Sequence, residues 1–361
     1  MLPAAMHAMV LGDVRKATLR RLDQTIRSAV REFLHLPKDT LKVFLHAHPT
    51  DGGLGIPELR LTVPMQRTQR ITRLEDTEYR PVRHLTTTEA FRRMKDRCRP
   101  PHTTGERIRQ EHRRQLLNKV DGAVREAPNH PASYRRVTAP NPPMPGSAFV
   151  GAIQVRGSVV ATGQRNARSR RGQGFAGCGR LETLGHISQT CTRTHLNRVA
   201  RHDRALVQLE GYLRDAGATT IKEPSIPTPE GLRKPDLLVA TEGSAAVIDV
   251  TIVADNADLS AAHQRKVAHY NRREIVEETK TRLNTQHPVH FGSATLNWRG
   301  CWARESVTHL KKLGATDHQL AQISIGVIEN TYKIIKIFRS TGRQGSARPS
   351  RRSQTMTGRP P

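Results

Sequence analysis

The chain has 361 residues, with 59 Lys+Arg against 32 Asp+Glu for a net charge of +27, 36% hydrophobic residues and four cysteines. That length and apolar content allow two or three folded domains, and no run approaches the roughly 18 uninterrupted apolar residues of a membrane span. The start lacks a basic segment ahead of its apolar run, and Cys98, Cys178, Cys191 and Cys301 are widely spaced, so neither a secretory signal nor a disulfide framework is expected. A reducing compartment fits those thiols better. Charge of this density repels itself unless a polyanion neutralises it, which makes nucleic acid the expected partner.

In chain order, residues 13–75 carry a helical spacing: Leu19, Leu22, Ile26, Val30 and Phe33 recur every three or four positions, and Leu36-Pro37 is expected to close the helix. In Asp51-Gly52-Gly53-Leu54-Gly55, the glycines mark a backbone that turns sharply or passes close to another segment. Residues 100–147 are poor in apolar side chains and rich in proline (Pro128, Pro131, Pro140, Pro142, Pro143, Pro145), the composition of a linker or irregular segment. Ala148–Val160 alternates loosely and predicts a short strand, and an arginine cluster follows at Arg165, Arg168, Arg170 and Arg171. From Lys234 the pattern becomes α/β. Leu237-Leu238-Val239 and Val247–Val253 read as strands joined by a hairpin turn at Thr241-Glu242-Gly243-Ser244. Helices are predicted at about Leu259–Leu283, Ser306–Leu313 and Gln319–Ile337. The last 22 residues, Ser340–Pro361, hold five arginines and no acid amid Gly, Ser, Thr and Pro, and read as a disordered basic tail.

The charge is unevenly placed. Residues 151–200 hold eight arginines and one acid, Glu182, whereas residues 201–250 hold six basic residues and eight acids. Clustered carboxylates repel a phosphate backbone unless they hold a metal or do chemistry. Within that block, Lys234-Pro235-Asp236 is followed thirteen positions later by Asp249 inside Val247-Ile248-Asp249-Val250-Thr251-Ile252-Val253. An aspartate in so apolar a strand is costly to bury without compensation. If the two strands pair as a hairpin, Asp236 at the entry of the first lies near Asp249 on the second. A divalent cation such as Mg²⁺ relieves the repulsion of two such carboxylates. It would also polarise a scissile phosphate and lower the pKa of a bound water. Lys266, on the helix after the strand, is the candidate for stabilising transition-state charge, with Tyr270 one turn later on the same face. A structural alternative is that Asp236 caps a turn and Asp249 pairs with Lys234 or Arg233.

Upstream, Cys178, His186 and Cys191 form a C-x7-H-x4-C run. Thiolates and imidazole at this spacing suit Zn²⁺, which wants four ligands in a structural site. Gly174-Phe175-Ala176-Gly177 precedes Cys178 without a thiol, so His195 or a water would complete the shell. The alternative is a metal-free segment folded around Leu181, Leu184 and Ile187.

The ordered combination of Cys178, Glu182-Thr183-Leu184-Gly185-His186-Ile187, Cys191-Thr192-Arg193-Thr194-His195, Arg201-His202-Asp203, Lys234-Pro235-Asp236 and Val247-Ile248-Asp249-Val250-Thr251 resembles the C-terminal part of site-specific non-LTR retrotransposon polyproteins of the R-two class. Asn297-Trp298-Arg299-Gly300 and Phe338-Arg339-Ser340-Thr341 fit the same end, and Leu36-Pro37-Lys38-Asp39-Thr40 with Gly52-Gly53-Leu54-Gly55-Ile56 looks like the thumb after a reverse transcriptase palm.

The resemblance implies an α+β multidomain chain. It would hold a helical thumb remnant at 1–100, a linker at 101–147, a basic segment with a degraded CCHC zinc knuckle at 148–203, a restriction-like PD-(D/E)xK endonuclease domain at 204–339 and a basic tail at 340–361. It implies a Mg²⁺-dependent nick in target DNA, within a ribosomal RNA gene, that primes reverse transcription. Asp236 and Asp249 would hold Mg²⁺, Lys266 would be the displaced catalytic lysine, with Thr251 at its usual position, and Tyr270 an auxiliary. Cys178, His186, Cys191 and His195 would hold Zn²⁺. Arg165, Arg168, Arg170, Arg171 and Arg180 would grip DNA or the element's RNA in the nucleus. The chain contains no adjacent Asp-Asp pair, so no reverse transcriptase activity is expected of it. Two other readings stay open here: a non-catalytic nucleic-acid-binding remnant, and a truncated copy without selected function. Trp298 and Trp302 read as core residues, and Cys98 and Cys301 as ordinary thiols.

Overall fold

The computed structural model describes residues 2–343 except 13, 99, 101, 103, 119–128, 139–143 and 168–177. Arg168, Arg170 and Arg171, four of the linker prolines (Pro128, Pro140, Pro142, Pro143) and residues 344–361 of the expected tail therefore lie outside the described residues. The chain is mixed α+β. No described helix is long and apolar enough to cross a membrane.

Among the described residues six strands form: β1 (Thr219–Lys222), β2 (Ile226–Thr228), β3 (Gly231–Arg233), β4 (Leu237–Ala240), β5 (Ala245–Val253) and β6 (Val289–Asn297). The main sheet has the order β1-β4-β5-β6, and β2 with β3 makes a separate small ribbon. β4 and β5 pair antiparallel through the expected turn, with Leu237 opposite Ile248, which sets Asp236 beside Asp249 just past the end of β4. β5 and β6 run parallel, so the chain must cross over between them, and two helices, Leu259–Tyr270 and Arg273–Leu283, make that crossing.

Alternation along β5 divides the core. Ala246, Ile248 and Val250 face a cluster built with Leu206, Leu209 and Leu213 of the helix His195–Asp215, Leu310 and Leu320. Val247 faces the other way, onto Leu238, Tyr270, Ile275 and Leu283. Asp249 has the parity of Val247 and lies on this second face. Both tryptophans are buried, as are Cys98 and Cys301.

Five sequence expectations need correction. Residues 146–156 form a helix, Gly146–Arg156, where a strand was expected. This helix is buried on two sides: Ile153 enters the N-terminal cluster with Phe44 and Leu45, while Ala152 and Val155 pack with Trp298 and Ile335. Burial on both faces erases the one-sided apolar stripe by which a helix is recognised. At Gly151 an added Cβ would lie 2.3 Å from the Tyr332 ring, so only glycine permits the close crossing with the C-terminal helix Asp317–Arg343. The expected single helix at 259–283 is broken at Asn271-Arg272, and no Pro or Gly marks the break. The segment taken as a linker contains the helix Gly105–Leu117. The last helix runs to Arg343, so residues 340–343 of the expected tail are helical. The boundary placed between 203 and 204 falls inside His195–Asp215.

In the N-terminal part, the helix Lys16–Phe33 ends before Leu36 and buries Leu19 against Leu59 and Val63, while Leu22 and Phe33 of its predicted apolar stripe are exposed. Asp23 is also buried, because its carboxylate accepts the Leu59 and Arg60 amides at 2.7 and 3.1 Å and caps the helix Leu59–Glu75. The glycine run turns as expected: Gly52 and Gly55 have φ of 100° and 72°. A Cβ on Gly53 would meet the Ala47 carbonyl oxygen at 2.1 Å. The same loop is tied down by Arg156, whose guanidinium donates to the carbonyls of Gly52, Ser133 and Pro49 at 3.0, 3.1 and 2.8 Å.

Nearby, Glu58 is buried between His112 and Arg60, at 2.9 and 2.5 Å. Burial alone would raise its carboxyl, but the hydrogen bonds from His112 and Arg60 prevail and bring it from 4.5 down to about 2. A carboxyl depressed in the folded state adds stability that is present above the unfolded value and lost as pH falls through the folded one. We therefore expect the wild type to lose thermal stability between about pH 4.5 and 2. Glu58→Gln should flatten that part of a melting-temperature profile, and parallel profiles would contradict the assignment.

Candidate active site

β4 begins at Leu237 while β5 runs on to Val253, so beyond Ile248 the β4 side of β5 has no strand against it. Side chains take the strand's place. The Val250 amide donates to Asp236 Oδ2 at 2.6 Å. The His202 Nε2–H lies 3.0 Å from the Val250 carbonyl oxygen and 3.2 Å from Asp236 Oδ2. Gln189 Nε2 donates to the Ile252 carbonyl at 2.8 Å.

Asp249 is 4% exposed, and the cost of burying it is offset by three donors. Thr251 Oγ1 donates to Oδ2 at 2.7 Å, Lys266 Nζ lies 3.0 Å from the same oxygen, and Tyr270 OH donates to Oδ1 at 2.9 Å. The phenol has one proton and a second acceptor, the Lys234 carbonyl at 3.1 Å, so it serves one at a time. Burial, and then the Asp249 charge, push the Tyr270 phenol well above its ordinary value, which keeps it a donor. The break at Asn271 ends the helix at Tyr270, and Lys266 stands one turn before it.

Asp236, Asp249, Lys266 and Tyr270 are thus brought together at the C-terminal half of β5. His202 joins them from the helix His195–Asp215, and sequence reasoning gave it no role. The only signal was the run Arg201-His202-Asp203 ahead of the strands. Its hydrogen bond to Asp236 raises the imidazole to about 9, so it is a cation at neutral pH with both ring nitrogens donating. The second, Nδ1, reaches Asp203 Oδ1 at 3.2 Å.

Does this donor set suit a divalent cation? The acceptors are hard oxygens, as Mg²⁺ requires. Asp236 Oδ2 is engaged by Val250 and His202, but Oδ1 takes no hydrogen bond among the described residues. One carboxylate oxygen is thus left without a protein donor, whereas both Asp249 oxygens are engaged by Thr251, Lys266 and Tyr270 and the Val250 carbonyl by His202, so an ion would share these with the donors now on them.

The Cys/His group forms a second cluster. Cys178 Sγ is 3.1 Å from His186 Nε2 and 3.7 Å from Cys191 Sγ, and the three ligand atoms lie within 4.8 Å of one another. Two sulfurs bound at ~2.3 Å to a tetrahedral zinc stand roughly 3.7–3.8 Å apart, so the sulfur spacing fits. Burial, then the Arg180 and Arg198 charges, lower the His186 imidazole and favour the neutral form that binds metal. The Arg180 amide lowers the Cys178 thiol, whereas burial raises that of Cys191. His195 opens the helix His195–Asp215 in an exposed position and is outside the group. Of the described arginines assigned to nucleic acid, Arg180 is exposed, but Arg165 is held by Asp39 at 2.8 Å and by the Ser158 carbonyl.

No protein-family model matches the chain. It is 34% identical over 354 residues to the retrovirus-related Pol polyprotein from type-2 retrotransposable element R2DM of Drosophila melanogaster, covering 94% of this chain and 33% of that protein. It is 30% identical over 345 residues to the Pol polyprotein from type-1 retrotransposable element R2 of Nasonia vitripennis, again covering 94% and 33%. With the corresponding R2 protein of Bradysia coprophila it shares 28% identity over 92% of this chain and 39% of the relative. The chain spans about one third of the length of the first two relatives. It therefore belongs to the family of R2-type retrotransposon Pol polyproteins, as the resemblance in its motifs implied.

Proposed function

We propose that the chain carries a restriction-like, PD-(D/E)xK-type DNA endonuclease centre in residues 204–339, with Asp236 and Asp249 as the Mg²⁺-binding carboxylates. The observation that carries this reading is the 3.0 Å approach of Lys266 Nζ to Asp249 Oδ2. It supplies from a helix the cation that the strand lacks at Thr251. Bound Mg²⁺ would polarise the scissile phosphate and make hydroxide available near neutral pH. Lys266 neutralises charge that develops on the phosphate oxygens, and Tyr270 and Thr251 hold the Asp249 carboxylate in one orientation. Arg180 and the other exposed basic residues grip the DNA backbone. In the longer polyproteins the nick would prime reverse transcription, with the element's RNA as second partner, in the nucleus. Cys178, His186 and Cys191 would hold a zinc ion that fixes the segment before the catalytic unit. A purely binding role is the second reading, favoured by the +27 charge. It predicts DNA affinity that falls steeply with salt, and no cleavage.

The test is nicking of supercoiled DNA bearing a ribosomal RNA gene target, with Mg²⁺. Lys266→Ala should slow it by roughly 10²–10³-fold, the scale of losing one preorganised donor at a developing charge. Thr251 Oγ1 and Lys266 Nζ reach the same oxygen of Asp249. The double variant Lys266→Ala with Thr251→Lys should therefore recover part of the loss. Equal nicking by wild type and Lys266→Ala would contradict the assignment.

A further inference from the structure

The His202 imidazole makes the only side-chain hydrogen bond to the Asp236 carboxylate among the described residues. It enters from the helix that packs on the opposite face of the sheet from Asp249 and meets two oxygens, Asp236 Oδ2 and the Val250 carbonyl, at 3.2 and 3.0 Å. The geometry points to His202 as a positioning residue for the metal centre, an inference that rests on the endonuclease reading above. It holds Asp236 Oδ2 against the β5 edge, so that Oδ1 is the atom presented to a cation.

Three observations support this. Asp236 lies one residue before β4 begins, so the ladder does not fix its side chain. The Val250 amide at 2.6 Å fixes one oxygen in distance, but a single donor leaves the carboxylate free to rotate about that contact. A second donor from a different element removes that freedom. His202 itself is anchored at its other nitrogen by Asp203, and the helix beneath it is held by Arg201, whose guanidinium reaches Thr331 Oγ1, the Ser188 carbonyl and Gln189 Oε1 at 2.9, 3.2 and 2.6 Å. Gln189 in turn donates to Ile252 O on the same free edge of β5. The edge that carries the site is thus clamped from the segment before the sheet. Groups that orient a metal-ligating carboxylate typically contribute 10- to 100-fold in metal affinity.

The experiment measures Mn²⁺ binding by electron paramagnetic resonance to the full chain preloaded with Zn²⁺, so that the Cys/His cluster does not compete. Asp249→Ala serves as the reference for the site. His202→Ala should raise the Mn²⁺ dissociation constant by ~10- to 100-fold. His202→Gln, whose amide N–H can reach the place of Nε2–H, should lie close to wild type. His202→Asn keeps a polar side chain but is too short, and should match alanine. If alanine fails to fold, the Asn and Gln pair carries the test. Wild-type affinity in both His202→Ala and His202→Asn, with Mn²⁺ still lost in Asp249→Ala, would overturn the role of His202 and leave the endonuclease reading standing. Mn²⁺ binding that Asp249→Ala does not weaken would sink that reading itself, and this inference with it.

Discussion

Replacing Asp249 with alanine is expected to lower the Mg²⁺-dependent nicking rate by roughly 10³-fold or more, since a metal-assisted step draws several kcal/mol from charge stabilisation and ~4 kcal/mol is a factor of about 10³. The substitution removes one of two carboxylates and releases every group that converges on it: Lys266 loses its counter-ion, Thr251 its acceptor, and Tyr270 keeps only the Lys234 carbonyl. Asp249→Asn separates charge from shape. The amide preserves volume and one acceptor, but it lacks the negative charge that draws a cation, so it should be nearly as inactive as alanine while melting closer to wild type. Single-turnover rates on target-bearing supercoiled DNA at saturating Mg²⁺ decide the point. Equal rates for wild type and Asp249→Asn would mean that the carboxylate's charge has no part in cleavage.

The largest stability effect is expected at Trp302. Its ring is fully buried, and its indole N–H meets Ser324 Oγ at 2.7 Å and the Leu320 carbonyl at 3.2 Å on the C-terminal helix. Its backbone amide donates to Ser133 Oγ at 3.1 Å, and it forms a bridge back to Leu296 at the end of β6. The turn that brings it there is built by Asn297, whose side-chain oxygen accepts the Arg299 and Cys301 amides, both at 3.0 Å. It also needs Gly300 at φ 76°, where a Cβ would be 2.7 Å from the Ser324 carbonyl oxygen. One residue therefore joins the sheet and the segment at 131–133 through its backbone and the C-terminal helix through its ring. Trp302→Ala should cost about 3–5 kcal/mol, a large share of the ~5–15 kcal/mol typical of a folded domain. Trp302→Phe keeps most of the ring and loses the hydrogen bonds, for about 1 kcal/mol. Urea denaturation midpoints in the order wild type, Phe, Ala would bear this out, and an unchanged midpoint for alanine would refute it.

Much of the candidate site was legible because it obeys local rules. Period-two alternation around Asp249, a Thr-Glu-Gly-Ser turn and a Pro-Asp pair define the hairpin, and helical spacing puts Lys266 and Tyr270 on one face. β6 was hidden for the opposite reason. Its buried positions include Ser293 and Thr295, which bond to each other, to His263 and, through the Thr295 amide, to Ser306, and Asn297, which accepts the Arg299 and Cys301 amides, so burial there does not appear as hydrophobicity. β1, with four residues and a single buried position, carries too weak a pattern to detect. His202 was illegible because its role depends on a contact across 34 residues, between a helix and a strand end that only the fold brings together. The same holds for Asp23 and Arg156, charged residues whose burial is explained by backbone groups 36 and 104 residues away.

The claim that Asp236 and Asp249 together hold a divalent cation can be tested by replacing Mg²⁺ with Fe²⁺ and adding ascorbate and peroxide, so that hydroxyl radicals cut the protein backbone beside the bound ion. Fragments should map to the neighbourhoods of residues 236 and 249–250, disappear in Asp249→Ala and fade with excess Mg²⁺. Cuts at the Cys178–Cys191 segment alone, or a pattern unchanged by Asp249→Ala, would contradict it.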